Sequence, residues 1–381
     1  MSQYYIRDIQ YTEEEISRLT ISGMVMSHLR SMPKSLFKYF PNLYSEEKGK
    51  CGLSLEKRKP INYSQTALLN NTVYLQTPTK FDDPYDCNIF IDANIFALER
   101  IRYYSSQCGI VLEPEWDYSQ ISYHLALKIY NHIMNKQPLE ELFIRTNSEE
   151  ELVSQHKKIF ISNIELELFS PYLNSNSINI AINKTIEGDY ADAARCASRF
   201  RVSCFTQSPY SMLMWSHYAN NHKGFCIEYE IPPYSVEKES LFCNLFPVIY
   251  TDQRIDLSKF HLNWDRTGRP STEDLNDYYK YGLLCKSLDW RYQQEWRLIS
   301  CDNLLSTDDN YNCRFFDIKK VYLGNKMSSE DRLEIIDICK QKGIPYSGIT
   351  IEANRFEMHE CSILCEDCPN LSSVKQNRNQ R

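Results

Sequence analysis

The sequence predicts an α+β protein whose mixed or antiparallel sheet core is interrupted by a large helical insertion. Short segments rich in aromatic and other strand-favouring residues occur early and late in the chain. A long middle stretch instead repeats its apolar residues every four positions, as Ile121, Leu125, Ile129 and Ile133 do. Because strand signals flank this block and do not alternate with helices, a doubly wound parallel sheet is disfavoured.

Five segments follow in order: an N-terminal helical arm (1–33), the first part of the core (35–91), the helical insertion (92–200), the second part of the core (201–358) and a Cys-rich polar tail (359–381). Thr12 followed by Glu15 reads as a capping box and predicts a helix over 12–31, broken near Gly23. An aromatic strand is expected at 35–40, then a loop rich in Lys and Glu up to 60, a helix over 64–70 and a strand over 72–78 that stops at Pro78, which has no donor for a ladder. Within the insertion, 152–169 is amphipathic. Strand signals return at 201–206, a short helix at 211–221 and a strand at 224–231. Further strands are expected at 247–250, 296–301, 320–323 and 350–353, with a helix over 328–342 stopped by Gly343. The tail from 369 is polar and expected to be disordered.

Among 381 residues, 43 Lys or Arg against 50 Asp or Glu give a net charge of −7. General nucleic-acid binding is disfavoured, because a polyanion binder needs a basic surplus to release counterions. With 42% apolar and 13% aromatic residues the chain can bury a core, which excludes disorder as its main state. The 14 cysteines lie in a long chain, often inside apolar runs, and read as small buried hydrophobes in a reducing compartment. The first residues lack the pattern of a signal peptide and no eighteen apolar residues run together, so a cytoplasmic protein without a membrane anchor is expected. Neither GxxxxGK[ST] nor a GxGxxG following a strand occurs, so nucleotide binding by those two routes is not expected.

Four constellations could carry chemistry. In Lys80-Phe81-Asp82-Asp83-Pro84-Tyr85-Asp86-Cys87, three carboxylates could hold a divalent metal, or Asp82 could cap a turn that Pro84 bends. With Glu295, Asp82, Asp83 and Asp86 would suit a metal-dependent nuclease. Between Ser211 and Gly224, His217 could serve as acid, base or ligand, whereas His217 and His222 stand about 140° apart on a helix and do not share a metal-binding face. Met212, Trp215 and Tyr218 are expected to pack inward. In the third, Lys286 to Ile299, Glu295 opens a strand among large aromatics, where an unpaired carboxylate is costly. Arg291 or Arg297 could pair with it, or Gln293 and Glu295 could present two polar groups on one face of an extended chain. In the fourth, His359, Cys361, Cys365 and Cys368 could bind zinc, or the thiols could be free.

Taken together, Leu36 to Tyr39, Val73 to Pro78 with Phe81 to Asp86, Ser203 to Thr206, Met214 to Ala219 with His222 to Phe225, and Trp290 to Arg297 resemble a bacterial family catalogued as domain of unknown function 2971. That name implies no activity. The order of a basic-aromatic strand, a strand ending in a small hydroxyl residue and a Gln-x-Glu before a late strand also resembles the core of ADP-ribosyltransferases. The resemblance implies NAD as cofactor and an unknown macromolecular acceptor. It makes Glu295 the catalytic carboxylate, Gln293 the acceptor-positioning residue, Thr77 a support and Lys38 a phosphate contact. Trp290, Trp296, Tyr39 or Tyr74 could wall the cleft and stack on nicotinamide. Lys38 stands where Arg or His is commoner, and Thr77 lacks the usual Ser-Thr-Ser setting. The competing expectation is a non-catalytic ligand- or protein-binding module, such as a sensor or a toxin or defence component, with 290–297 as an ion-paired structural corner.

Overall fold

The computed structural model describes residues 3–45, 61–88, 90, 92, 115, 199–254, 256–257, 278–301, 305, 307–308 and 311–361. The expected helical insertion and the tail beyond residue 361, with Cys365 and Cys368, fall almost wholly outside these. The chain divides into two compact units. One comprises Met1–Cys87, Ser198–Gln253 and Leu284–Arg381, and the other Asn88–Ala197 and Arg254–Leu283. Lys38, Thr77, Gln293 and Glu295 all belong to the first unit.

The strands of that unit in chain order are β1 (Tyr4–Ile6), β2 (Ile9–Tyr11), β3 (Ser35–Phe40), β4 (Tyr44–Ser45), β5 (Ile61–Asn62), β6 (Thr72–Tyr74), β7 (Phe200–Phe205), β8 (Phe225–Glu230), β9 (Leu245–Pro247), β10 (Ile249–Thr251), β11 (Cys285–Ser287), β12 (Trp296–Cys301), β13 (Asn312–Arg314), β14 (Ile318–Leu323), β15 (Tyr346–Ile351) and β16 (Met358–Glu360). The helices are α1 (Glu13–Arg18), α2 (Ile21–Ser31), α3 (Tyr63–Asn70), α4 (Met212–Tyr218), α5 (Glu239–Cys243) and α6 (Ser329–Lys342). The class is α+β, with mixed sheets.

Local chemistry sets the boundaries. Thr12 and Glu15 close the capping box of α1, but the helix ends at Arg18 because Thr20 caps a second helix through the Gly23 amide. The expected single arm therefore breaks three residues before Gly23: a hydroxyl able to start a new helix outcompetes continuation. Ser328 caps α6, and Gly343 at φ 66° ends it. The last expected strand, at 350–353, begins earlier, as β15 at Tyr346, because its parallel register pairs Val321 with Tyr346.

The largest sheet runs β16-β15-β14-β8-β3, antiparallel except for β14 and β15. On one face Leu36, Phe40, Phe225, Ile227, Val321 and Leu323 join Ile335, Ile336 and Cys339 of α6 in the main core. On the other, Phe37, Tyr39, Cys226 and Tyr322 pack against Met214 and Trp215 of α4. Each such side chain contributes about 1.5–3 kcal/mol through burial. Where three chain segments meet, Gly224 and Gly324 are required sterically: a Cβ on Gly224 would lie 1.9 Å from the Phe40 carbonyl oxygen, and one on Gly324 would lie 2.1 Å from that of His222.

A second sheet, β7-β12-β9, is antiparallel. The free edge of β7 meets β3 through paired backbone bonds of 2.8 Å between Phe37 and Thr206, and meets Gln76 through an equivalent pair at Val202. Lys38 and Glu295 are thus carried by chain segments on either side of β7. Beyond β9, Val248 leads into β10 of a third sheet, β11-β10-β1-β2, in which β10 and β11 are parallel.

Candidate functional site: a buried charge network at the start of β12

Glu295 precedes β12 and is almost fully buried, at 4% exposure. Leu288–Gln293 forms a 3₁₀ helix, and Gln294 turns through φ 44° into the strand. The chain at 293–295 is therefore not extended, contrary to the expectation of a shared strand face. The turn still brings Gln293 and Glu295 to one point, because Thr206 Oγ1 donates to the Gln293 carbonyl at 2.6 Å and the Glu295 amide donates to Tyr250 Oη at 2.8 Å.

Both Glu295 oxygens are engaged. Oε1 accepts from Arg297 Nε and Oε2 from Lys286 Nζ, each at 2.7 Å. Arg297, fully buried, also donates Nη2 to both Asp86 oxygens at 2.7 and 2.8 Å and Nη1 to Cys87 Sγ at 3.0 Å. Lys286 Nζ reaches Gln293 Oε1 at 2.9 Å and lies 3.0 Å from Asp86 Oδ2. Two carboxylates thus face two cations, and the four formal charges cancel. Trp290 lies over Lys286, with its ring 5.3 Å from the ammonium, and Phe81 lies 5.7 Å from the Arg297 guanidinium.

Burial works against ionisation of Glu295, but Arg297 and Lys286 outweigh it and hold the carboxyl at about 2. Burial likewise opposes the charge on Lys286, but Glu295 and Asp86 raise it above the ordinary lysine range. For Arg297 the same balance, with Asp86 as its foremost partner, favours the charged form. Burial raises the Cys87 thiol despite the adjacent guanidinium. The site favours fixed charge over proton exchange.

Of the two arginines considered for Glu295, Arg297 is the partner, whereas Arg291 lies over the Tyr5 ring. Lys38 shares the core-facing side of β3 with Leu36 and Phe40, and donates to the Cys204 carbonyl at 3.0 Å. Burial lowers its pKa. Tyr39 faces the other side, with its hydroxyl on the Ser208 carbonyl and its ring edge-on to Trp215. Thr77 precedes a short 3₁₀ turn, Pro78–Lys80, without capping it through its side chain. Thr206, not Thr77, is the hydroxyl residue bonded to the Gln293–Glu295 turn.

In the acidic motif Asp83, not Asp82, caps the turn, accepting the Tyr85 amide at 2.9 Å, and Asp82 is exposed. Asp86 departs from that surface to join Arg297. His217 is exposed, and Tyr218, expected to pack inward, is 38% exposed because Gln293 Nε2 holds its hydroxyl at 2.8 Å. His359 faces Glu352 at 3.3 Å, and the Cys361 amide bonds to Gly348. Among the described residues no group of three or more His, Cys, Asp or Glu side chains is placed to hold a metal ion, and no helix is long and apolar enough to cross a membrane.

Sequence reasoning missed Lys286 as the central cation. It stood in the segment around Glu295 as an unremarked residue, nine positions earlier, and only the parallel pairing of β11 with β10 carries it into the cluster. No curated protein and no solved structure matches the chain. The sequence profile of a family described as "Protein of unknown function (DUF2971)" matches residues 214–298, so the stretch from α4 into β12, which supplies Lys286, Gln293, Glu295 and Arg297, is similar to that family.

Proposed function

We propose that the chain is a non-catalytic ligand- or protein-binding module, of the kind a sensor or a toxin or defence system uses, with Glu295 as part of its structural frame. The observation that supports this reading is the placement of a buried cation 2.7 Å from each Glu295 oxygen. A carboxylate meant to steady a developing positive charge must keep an oxygen turned toward its substrate. Here both turn toward Lys286 and Arg297.

A second reading, NAD-dependent ADP-ribosyl transfer to a macromolecular acceptor, draws on Lys38, whose charge acts on the same neighbourhood as Glu295. The carboxylates of a metal-dependent nuclease are not gathered among the described residues, and the zinc reading turns on Cys365 and Cys368, which lie outside them.

The test is to incubate the full-length protein with NAD and candidate protein targets and to measure nicotinamide release. The binding-module reading expects release no greater than from NAD alone. Release by the wild-type chain that disappears in a folded Glu295→Gln variant would establish the transferase.

A further inference from the structure

A third basic group borders the charge network without a counter-ion. Glu295 and Asp86 are engaged by Lys286 and Arg297. Lys38, across β7 from them, makes one polar bond, to the neutral carbonyl of Cys204 at 3.0 Å. Among the described residues no carboxylate pairs with it, and the Phe205 ring, 5.2 Å from its nitrogen, compensates a withdrawn charge less than a carboxylate would. Burial lowers the Lys38 pKa. Of the charges that oppose this, the Cys204 thiolate does not form at neutral pH, because burial raises that thiol, and Glu295 already serves two other cations. Lys38 therefore holds more of its amine in the neutral form, with a free lone pair, than a solvated lysine does. The side chain is half-buried, not sealed.

Resting on the binding-module reading, we propose that Lys38 is a covalent capture site, where its amine, unpaired beside a saturated charge network, holds an aldehyde or ketone ligand as an imine. The nitrogen lone pair attacks the carbonyl carbon and a C–N bond forms. The carbonyl oxygen then leaves as water with both amine hydrogens, so no oxidant or reductant is consumed. Lysine supplies this chemistry where desolvation withholds its proton. Lys286, whose two carboxylates hold it as an ammonium, does not compete.

Two probes, propanal and benzaldehyde, each added at limiting concentration to the full-length protein at neutral pH with cyanoborohydride to fix any imine, test this by peptide mass spectrometry. At least one is expected to modify Lys38 about tenfold or more faster than exposed Lys80 and Lys223, as a pKa lower by about one unit provides. The lead should shrink as pH rises toward the ordinary lysine value of about 10.4. Modification of Lys38 no faster than of Lys80 and Lys223 by both aldehydes, or a lead that persists undiminished at high pH, would overturn the proposal. Nicotinamide release from NAD is a separate readout, so failure of the binding-module reading is distinguishable from failure of the Lys38 capture site.

Discussion

Glu228 on β8 and Glu295 before β12 are both withdrawn from solvent, and both carboxyls stay ionised against the effect of burial, but by different means. At Glu228, hydrogen bonds from Lys319, Ser35 and Tyr322, at 2.7, 2.7 and 2.8 Å, overcome burial. Two of these donors are neutral, and the Lys319 side chain is 51% exposed. At Glu295 both partners are buried cations, themselves tied to Asp86. One site leans on solvent to stabilise its cation. The other must balance its charges internally, so removing any member strands another charge among buried side chains.

That difference ranks the expected effects of substitution. Glu295→Gln leaves Lys286 and Arg297 facing one carboxylate, and should lower unfolding free energy by about 3–5 kcal/mol in a denaturant titration. A loss below about 1 kcal/mol would mean that the network is not closed. Glu228→Gln keeps an acceptor for Tyr322 and frees a lysine already in water, so it should cost about 1 kcal/mol, as for one hydrogen bond and a half-exposed ion pair. Equal losses at the two sites would remove the distinction.

The sequence made part of this legible. Capping residues, strand propensity and the cost of an unpaired glutamate among aromatics pointed to the helices, the large sheet and a partner for Glu295, and Arg297 lay within reach of sequence logic because it is two residues away. Asp86 and Lys286 were not legible as partners. Asp86 reads as one of three acids on a turn, and only the fold separates it from exposed Asp82. Lys286 reaches the cluster through the parallel register of β10 and β11, which local propensity does not encode. Tyr218 looked apolar in its helical spacing, but a polar relay holds it at the surface.

Titrating Glu295 itself probes the closed network at its centre. Its native pKa lies below the ordinary value, so its contribution to stability is present above about 4.5 and lost as pH falls toward about 2. Following the labelled Glu295 carboxyl carbon by NMR in acid should give an apparent midpoint near 2, with unfolding free energy falling over the same window. A midpoint at or above 4.5 in the folded protein would show a carboxyl without its two cations, and would contradict its structural role.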